Sequence, residues 1–129
     1  MWIITKDGFY SAVWDENCRG DELMIRAHSK DDLCRLVKKL SGWCDESQIQ
    51  YDEHADYRFR IKIGKTLWSS YVADCALQID YKDVKNALNP DGSQIRQDAY
   101  YEVWEALYRW QSKMIPVHDD SDAEQRQAE

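Results

Sequence analysis

The side chains with the strongest nucleophilic chemistry in this chain are Cys18, Cys34, Cys44 and Cys75, and its candidate bases are His28, His54 and His118. A thiol nucleophile needs a cysteine, a histidine and an orienting group that converge in space. Cys34 with His28 or His54 is the conceivable set, but no local signature accompanies it. Zinc sites use paired short-range ligands, because each pair closes a loop around the ion. Here the cysteines are 16, 10 and 31 residues apart, with no CxxC pair and no histidine at a matching offset. Reduced thiols are the expectation. The five glycines, Gly8, Gly20, Gly42, Gly64 and Gly92, are too scattered for a phosphate-cradling loop. HExxH, GxSxG and kinase-type motifs are absent. The expectation is therefore binding rather than catalysis, with no catalytic residue, no metal and no cofactor.

A second chemistry-bearing pattern is Tyr57-Arg58-Phe59-Arg60-Ile61-Lys62-Ile63. On an extended chain, alternate side chains point to opposite faces. The run then has an apolar face of Tyr57, Phe59, Ile61 and Ile63 and a cationic face of Arg58, Arg60 and Lys62. Such a strand belongs to a sheet packed on one side and open to water or a partner on the other. The ridge could be a solvated face paired to acidic side chains on adjacent strands. It could also be a protein-binding patch, or a contact with nucleic acid. Three cations neutralise only about three phosphates, a weak anchor alone.

The whole-chain balance opposes the nucleic-acid reading. The 129 residues carry a net charge of −7. Residues 1–64 hold ten Lys/Arg against twelve Asp/Glu, and residues 65–129 hold seven against twelve. Generic backbone binding draws on cationic patches, so free DNA or RNA is not the expected partner. Six Trp and eight Tyr against two Phe favour rings with a polar handle, which are enriched where a surface is half wet, as at protein interfaces. No basic-then-apolar leader and no long apolar run is present, so a cytoplasmic protein without a membrane contact is expected.

These residues must be positioned by a small α+β fold. Trp2–Thr5 and Phe9–Trp14 flank Lys6-Asp7-Gly8 and read as a hairpin, with Gly8 supplying a positive φ. Leu23–Ala27 reads as a third strand. Ser29 and Asp32 form a capping box ahead of Leu33, Leu36, Val37 and Leu40 at helical spacing. A short strand is expected near Ile49–Tyr51, and a helix carries Leu67, Trp68, Tyr71, Val72, Cys75, Ala76 and Ile79. Asp80 is expected to cap a further helix through Tyr81, Val84 and Leu88. The turn Asn89-Pro90-Asp91-Gly92 precedes a last helix from about Ser93 to Gln111. Its apolar arc, which includes Ile95, Val103, Leu107, Trp110 and Trp104, spans about 240°. Asp98, Glu102, Glu105 and Arg109 fill the narrow stripe that remains. Coverage by two neighbours within the domain is expected, or by one neighbour and a partner. The expected fold is α+β, an antiparallel sheet of about four strands packed on one face by about four helices. Residues 1–114 form a single domain on this reading, and 115–129 an acidic tail.

Two segments carry a resemblance. One is Met1-Trp2-Ile3-Ile4-Thr5-Lys6-Asp7-Gly8-Phe9-Tyr10-Ser11 with Leu23-Met24-Ile25-Arg26-Ala27-His28-Ser29. The other joins Asp56-Tyr57-Arg58-Phe59-Arg60 to Ile79-Asp80-Tyr81-Lys82-Asp83-Val84-Lys85 and Tyr100-Tyr101-Glu102-Val103-Trp104. In this order they resemble a widespread family of small uncharacterised bacterial and phage proteins, patterned TxxGFFS, VRARxxxDL, DYPYR, DIDYxNFK and YxxVWxxL. Arg58 stands where that family commonly has proline, and Cys44–Glu53 is insertion-like. The family has no settled activity, so no site residue transfers. The resemblance implies a bacterial or phage origin, and makes Asp56-Tyr57 and Asp80-Tyr81 structural hinges. The functional expectation is a phage or mobile-element inhibitor, anti-CRISPR-like, that docks as a monomer or homodimer on a host protein or ribonucleoprotein complex. Candidate contacts are Arg58, Arg60, Lys62, Asp98, Glu102 and Glu105. The alternatives are a small enzyme with an unrecognised site, or a homo-oligomeric scaffold.

Overall fold

The structure is a computed structural model that describes residues 1–114. The acidic segment expected over 115–129 lies outside the described residues. The chain divides into two compact units, one of Met1–Ser93 and one that opens at Gln94.

The first unit is built on a five-stranded antiparallel sheet. Its strands are β1 (Trp2–Ile4), β2 (Phe9–Val13), β3 (Glu22–Ala27), β4 (Gln50–Tyr51) and β5 (Phe59–Gly64), in the order β1-β2-β3-β5-β4. Helices α1 (Lys30–Lys39) and α2 (Lys65–Leu77) lie on one face. The alternation in the strands decides which face. Tyr10, Ala12, Ile25, Ala27, Ile61 and Ile63 point inward against Leu33, Leu36, Val37 and Leu40 from the α1 segment and Trp68 and Tyr71 from α2. Burying each of the Leu, Ile and Val side chains among them contributes roughly 1.5–3 kcal/mol. The architecture is thus the α+β one that the sequence predicts, with one strand more than counted. Both edge strands are short, three residues in β1 and two in β4.

The hairpin differs from expectation in its chemistry. Thr5 and Gly8 exchange backbone hydrogen bonds of 2.8 and 3.3 Å around Lys6-Asp7, and Thr5 Oγ1 accepts from the Asp7 N–H at 3.1 Å. Gly8 is not among the positive-φ glycines, which are Gly20, Gly42 and Gly92. Glycine is needed at position 8 for space: a Cβ there would stand 2.4 Å from the Asp32 carboxyl carbon. Asp32 itself is no capping residue. Ser29 makes no side-chain cap bond, and Asp32 is 2% exposed. Its Oδ2 accepts from the Phe9 N–H at 3.1 Å and its Oδ1 from Arg35 Nη1 at 2.9 Å.

Two further expectations are corrected. The helix after Asp80 shrinks to α3 (Val84–Ala87), capped by Asp83, whose carboxylate accepts from the Lys85 N–H. Asp80 instead pairs with Lys6 at 3.0 Å. Tyr57 lies outside β5 and leaves the apolar row: its ring stacks on His28 at 4.2 Å and sits under the Arg26 guanidinium at 4.5 Å. The bend that turns it is held by the Asp56 carboxylate, which accepts from the Tyr57 N–H at 2.8 Å.

Gly8→Ala is expected to cost about 2 kcal/mol through overpacking, and Asp32→Ala about 3 kcal/mol through an orphaned guanidinium and N–H. The double variant should lose less than the sum, because removing the carboxylate makes room for the methyl group. Urea midpoints of the three proteins check this, and strict additivity would refute the steric account.

Burial holds the Tyr10 and Tyr71 hydroxyls well above the usual tyrosine range, reinforced by Asp32 and Asp7 for Tyr10 and by Tyr10 for Tyr71. Both stay protonated in the folded chain while unfolded tyrosine ionises near pH 10. Their contribution is complete below about pH 10 and is lost above it, by about 1.4 kcal/mol per pH unit per group. Tyr71→Phe should flatten that alkaline decline in a urea series between pH 9 and 11.

Candidate functional surfaces

The outer face of the sheet gathers the cations. Register places Trp2, Ser11, Arg26, Arg60 and Gln50 in one row across all five strands. Arg60 therefore faces Arg26 on one side and Gln50 on the other, and Lys62 faces Met24. Among the described residues, no acidic side chain stands directly across a strand pair from Arg60 or Lys62, where the solvated-face reading would have one. Arg58 is exposed and lies just before β5, whereas Arg60 and Lys62 are half-buried. Arg26 Nη2 donates to Ser11 Oγ at 2.8 Å, and Arg60 Nη2 donates to the Tyr57 carbonyl at 3.1 Å. Both guanidiniums keep a buried Nε–H without an acceptor. At one end of this face the rings of Trp2, Phe9, His28 and Tyr57 follow one another at 6.1, 6.1 and 4.2 Å.

Arg26, Ser11 and Gln50 are the members that the sequence reading missed. The signal was available in Leu23-Met24-Ile25-Arg26-Ala27, which alternates in the same sense as β5. Pairing the two runs antiparallel brings their cations opposite each other.

The second unit supplies a different surface, helix α4 (Gln94–Met114). Asp98, Glu102 and Glu105 share one stripe, with Glu105 paired to Arg109 at 3.1 Å and Asp98 accepting from Gln94 at 2.8 Å. Tyr100 is buried, and its hydroxyl accepts from Arg96 at 2.9 Å. Beyond it, Val103, Trp104, Leu107, Tyr108, Trp110 and Met114 are 45% to 64% exposed. The expected burial of this arc by two neighbours within the domain is not met. Trp104 and Tyr108 stack at 5.4 Å, and Tyr101 lies 5.6 Å from Trp104.

The thiols and imidazoles stay apart in role. Cys34 lies on α1, its thiol pushed up by burial and by Glu46. Burial likewise raises Cys44, with Asp45, and Cys75. His28 belongs to the ring stack and His54 sits on an exposed loop 3.3 Å from Glu53. Among the described residues, no group of three or more His, Cys, Asp or Glu could hold a metal ion. A cavity of about 200 Å³ lies between Thr5, Asp7, Lys39, Val72 and Cys75, below the size range of typical ligand pockets. Two of its lining residues are tied to Tyr71, whose hydroxyl donates to Asp7 Oδ2 and contacts Thr5 Oγ1, both at 2.8 Å. No helix among the described residues is long and apolar enough to cross a membrane.

Alkylation with iodoacetamide at pH 7.5 is expected to be slower in the folded chain than in urea at Cys34, Cys44 and Cys75, since thiolate is the reacting species. A folded-state Cys34 that reacts faster than its unfolded counterpart would restore it as a nucleophile.

Comparison of the chain with protein-family models, curated proteins and solved structures finds no match.

Proposed function

We propose that this chain is a non-enzymatic binding module whose partner-facing element is α4. One observation carries the reading: six large apolar or aromatic side chains from Val103 to Met114 stand at least 45% exposed on one helix. At about half exposure, three rings of about 150–250 Å² and three aliphatic side chains of similar or smaller area leave an exposed arc of roughly 600 Å². That stands at the top of the usual range for the largest patch on a monomer, about 300–600 Å², and approaches the roughly 800 Å² that one partner contributes to a standard interface. Trp and Tyr are also the residue types that dominate such contacts.

The finer reading is a phage or mobile-element inhibitor of a host nucleic-acid-handling machine, anti-CRISPR-like in manner. The net charge of −7 and the Asp98–Glu102–Glu105 stripe beside the apolar arc support it. An acidic protein competes with nucleic acid for a basic groove, because the field of the groove attracts either. A second reading, self-association, is favoured by one feature. Val103, Leu107, Trp110 and Met114 recur at spacings of four, three and four, the pattern of a helix–helix seam.

Light scattering over a concentration series, on the wild type and on Leu107→Glu, separates the two. A dimer that Leu107→Glu converts to a monomer assigns the arc to a second copy. A monomer at all concentrations leaves it to another protein, which wild-type chain should retain from a bacterial lysate and Leu107→Glu should not. That complex should weaken several-fold between low and physiological salt, and added nucleic acid should displace it. Equal retention by the variant would refute the role of α4.

A further inference from the structure

The outer-face arginine pair poses a problem that the fold leaves open. Arg26 and Arg60 are direct cross-strand neighbours, and like charges in that position repel. Each guanidinium is held in place, Arg26 by Ser11 and the Tyr57 ring, Arg60 by the Tyr57 carbonyl. Among the described residues, neither has a carboxylate within ion-pair distance. Each also keeps its Nε–H shielded from water and without an acceptor.

We propose that this pair is an oxyanion site for the phosphate of a small ester of the mononucleotide class. Two guanidiniums carrying two positive charges match a phosphate dianion in charge, where a lone carboxylate would neutralise only one of them, and such a ligand meets their Nη groups, the Nε–H groups being shielded. Lys62 lies two residues further along β5 on the same face and adds to the local field. The aromatic component comes from the same row. Trp2 stands two strands from Arg26, on the order of 10 Å at the usual strand spacing, and the residue is 74% exposed, with its ring edge-on to Phe9. An indole at that remove can stack a base while the phosphate rests on the arginines. The ligand is small because a chain of net charge −7 repels a long polyanion, whereas a single dianion responds to the local cations. This site is separate from α4 and stands or falls independently of it.

The test is an NMR titration of the full chain, following the Nε–Hε signals of Arg26 and Arg60. Sodium phosphate, adenosine monophosphate and an oligothymidylate are added in turn at constant ionic strength, with sodium chloride as the control. Both signals are expected to shift with phosphate and with the nucleotide, and not with chloride. The nucleotide should bind about tenfold more tightly than phosphate, and Trp2→Ala should remove that difference while leaving phosphate binding in place. Arg60→Lys keeps the charge but not the fork, and should weaken phosphate binding about tenfold. Should that variant fail to fold, the wild-type titration still decides. Signals that stay still, or that move equally with chloride, overturn the site. Equal affinity for phosphate and nucleotide overturns the base-stacking half, and tighter binding of the oligothymidylate per phosphate overturns the restriction to small ligands.

Discussion

Asp32 joins elements that are far apart in sequence. Its carboxylate receives the N–H of Phe9 at the start of β2 and the guanidinium of Arg35 one turn further along α1. Its own carbonyl accepts from the Tyr10 hydroxyl at 2.6 Å. Arg35 extends the link to the Asp7 carbonyl and to the Asp91 carboxylate. A charge buried this deeply is tolerated only when its acceptor positions are filled, so hairpin, helix and the segment before α4 must arrive together. Gly8 is the steric counterpart of that requirement, since any larger residue would occupy the volume of the carboxylate.

With the hairpin fixed against α1, the two faces of the sheet are fixed as well. The inner face closes over α1 and α2 with aliphatic and aromatic side chains. The outer face inherits whatever alternates with them, and in β3 and β5 those are Met24, Arg26, Arg60 and Lys62. Tyr57 crosses from its expected side to underpin this face, and both arginines take a contact from it. The cationic surface is therefore organised around a ring and a carbonyl rather than around carboxylates.

Much of this was legible in the residue pattern. Period-two alternation in Phe59–Ile63 and Leu23–Ala27, and the stripe Leu33, Leu36, Val37 and Leu40, are strong local signals that tertiary packing respects. What the pattern hid depends on contacts distant in sequence. A Ser-x-x-Asp spacing reads as a cap, yet the cross-chain demand of the Phe9 N–H claims Asp32 instead. A glycine in an Asp-Gly turn reads as a conformational need, yet it answers to a carboxylate 24 residues away. Tyr57 continues the alternation on paper, but the Asp56 side chain bends the backbone before β5 begins. The Arg26–Arg60 pairing required the strand register, which periodicity within one strand cannot supply. The breadth of the apolar arc on α4 was plain from the sequence, whereas its exposure was not.

The brevity of the two border strands has a further consequence. An extended peptide that joins a sheet does so by pairing main-chain groups along an open margin. Here one margin offers three residues and the other two, too few for a stable added ladder. Strand addition, by a visitor or by a misfolded copy of the same chain, is thereby disfavoured. A ligand of this sheet would be left its side chains to grip, and single substitutions rather than backbone shape would then govern the contact.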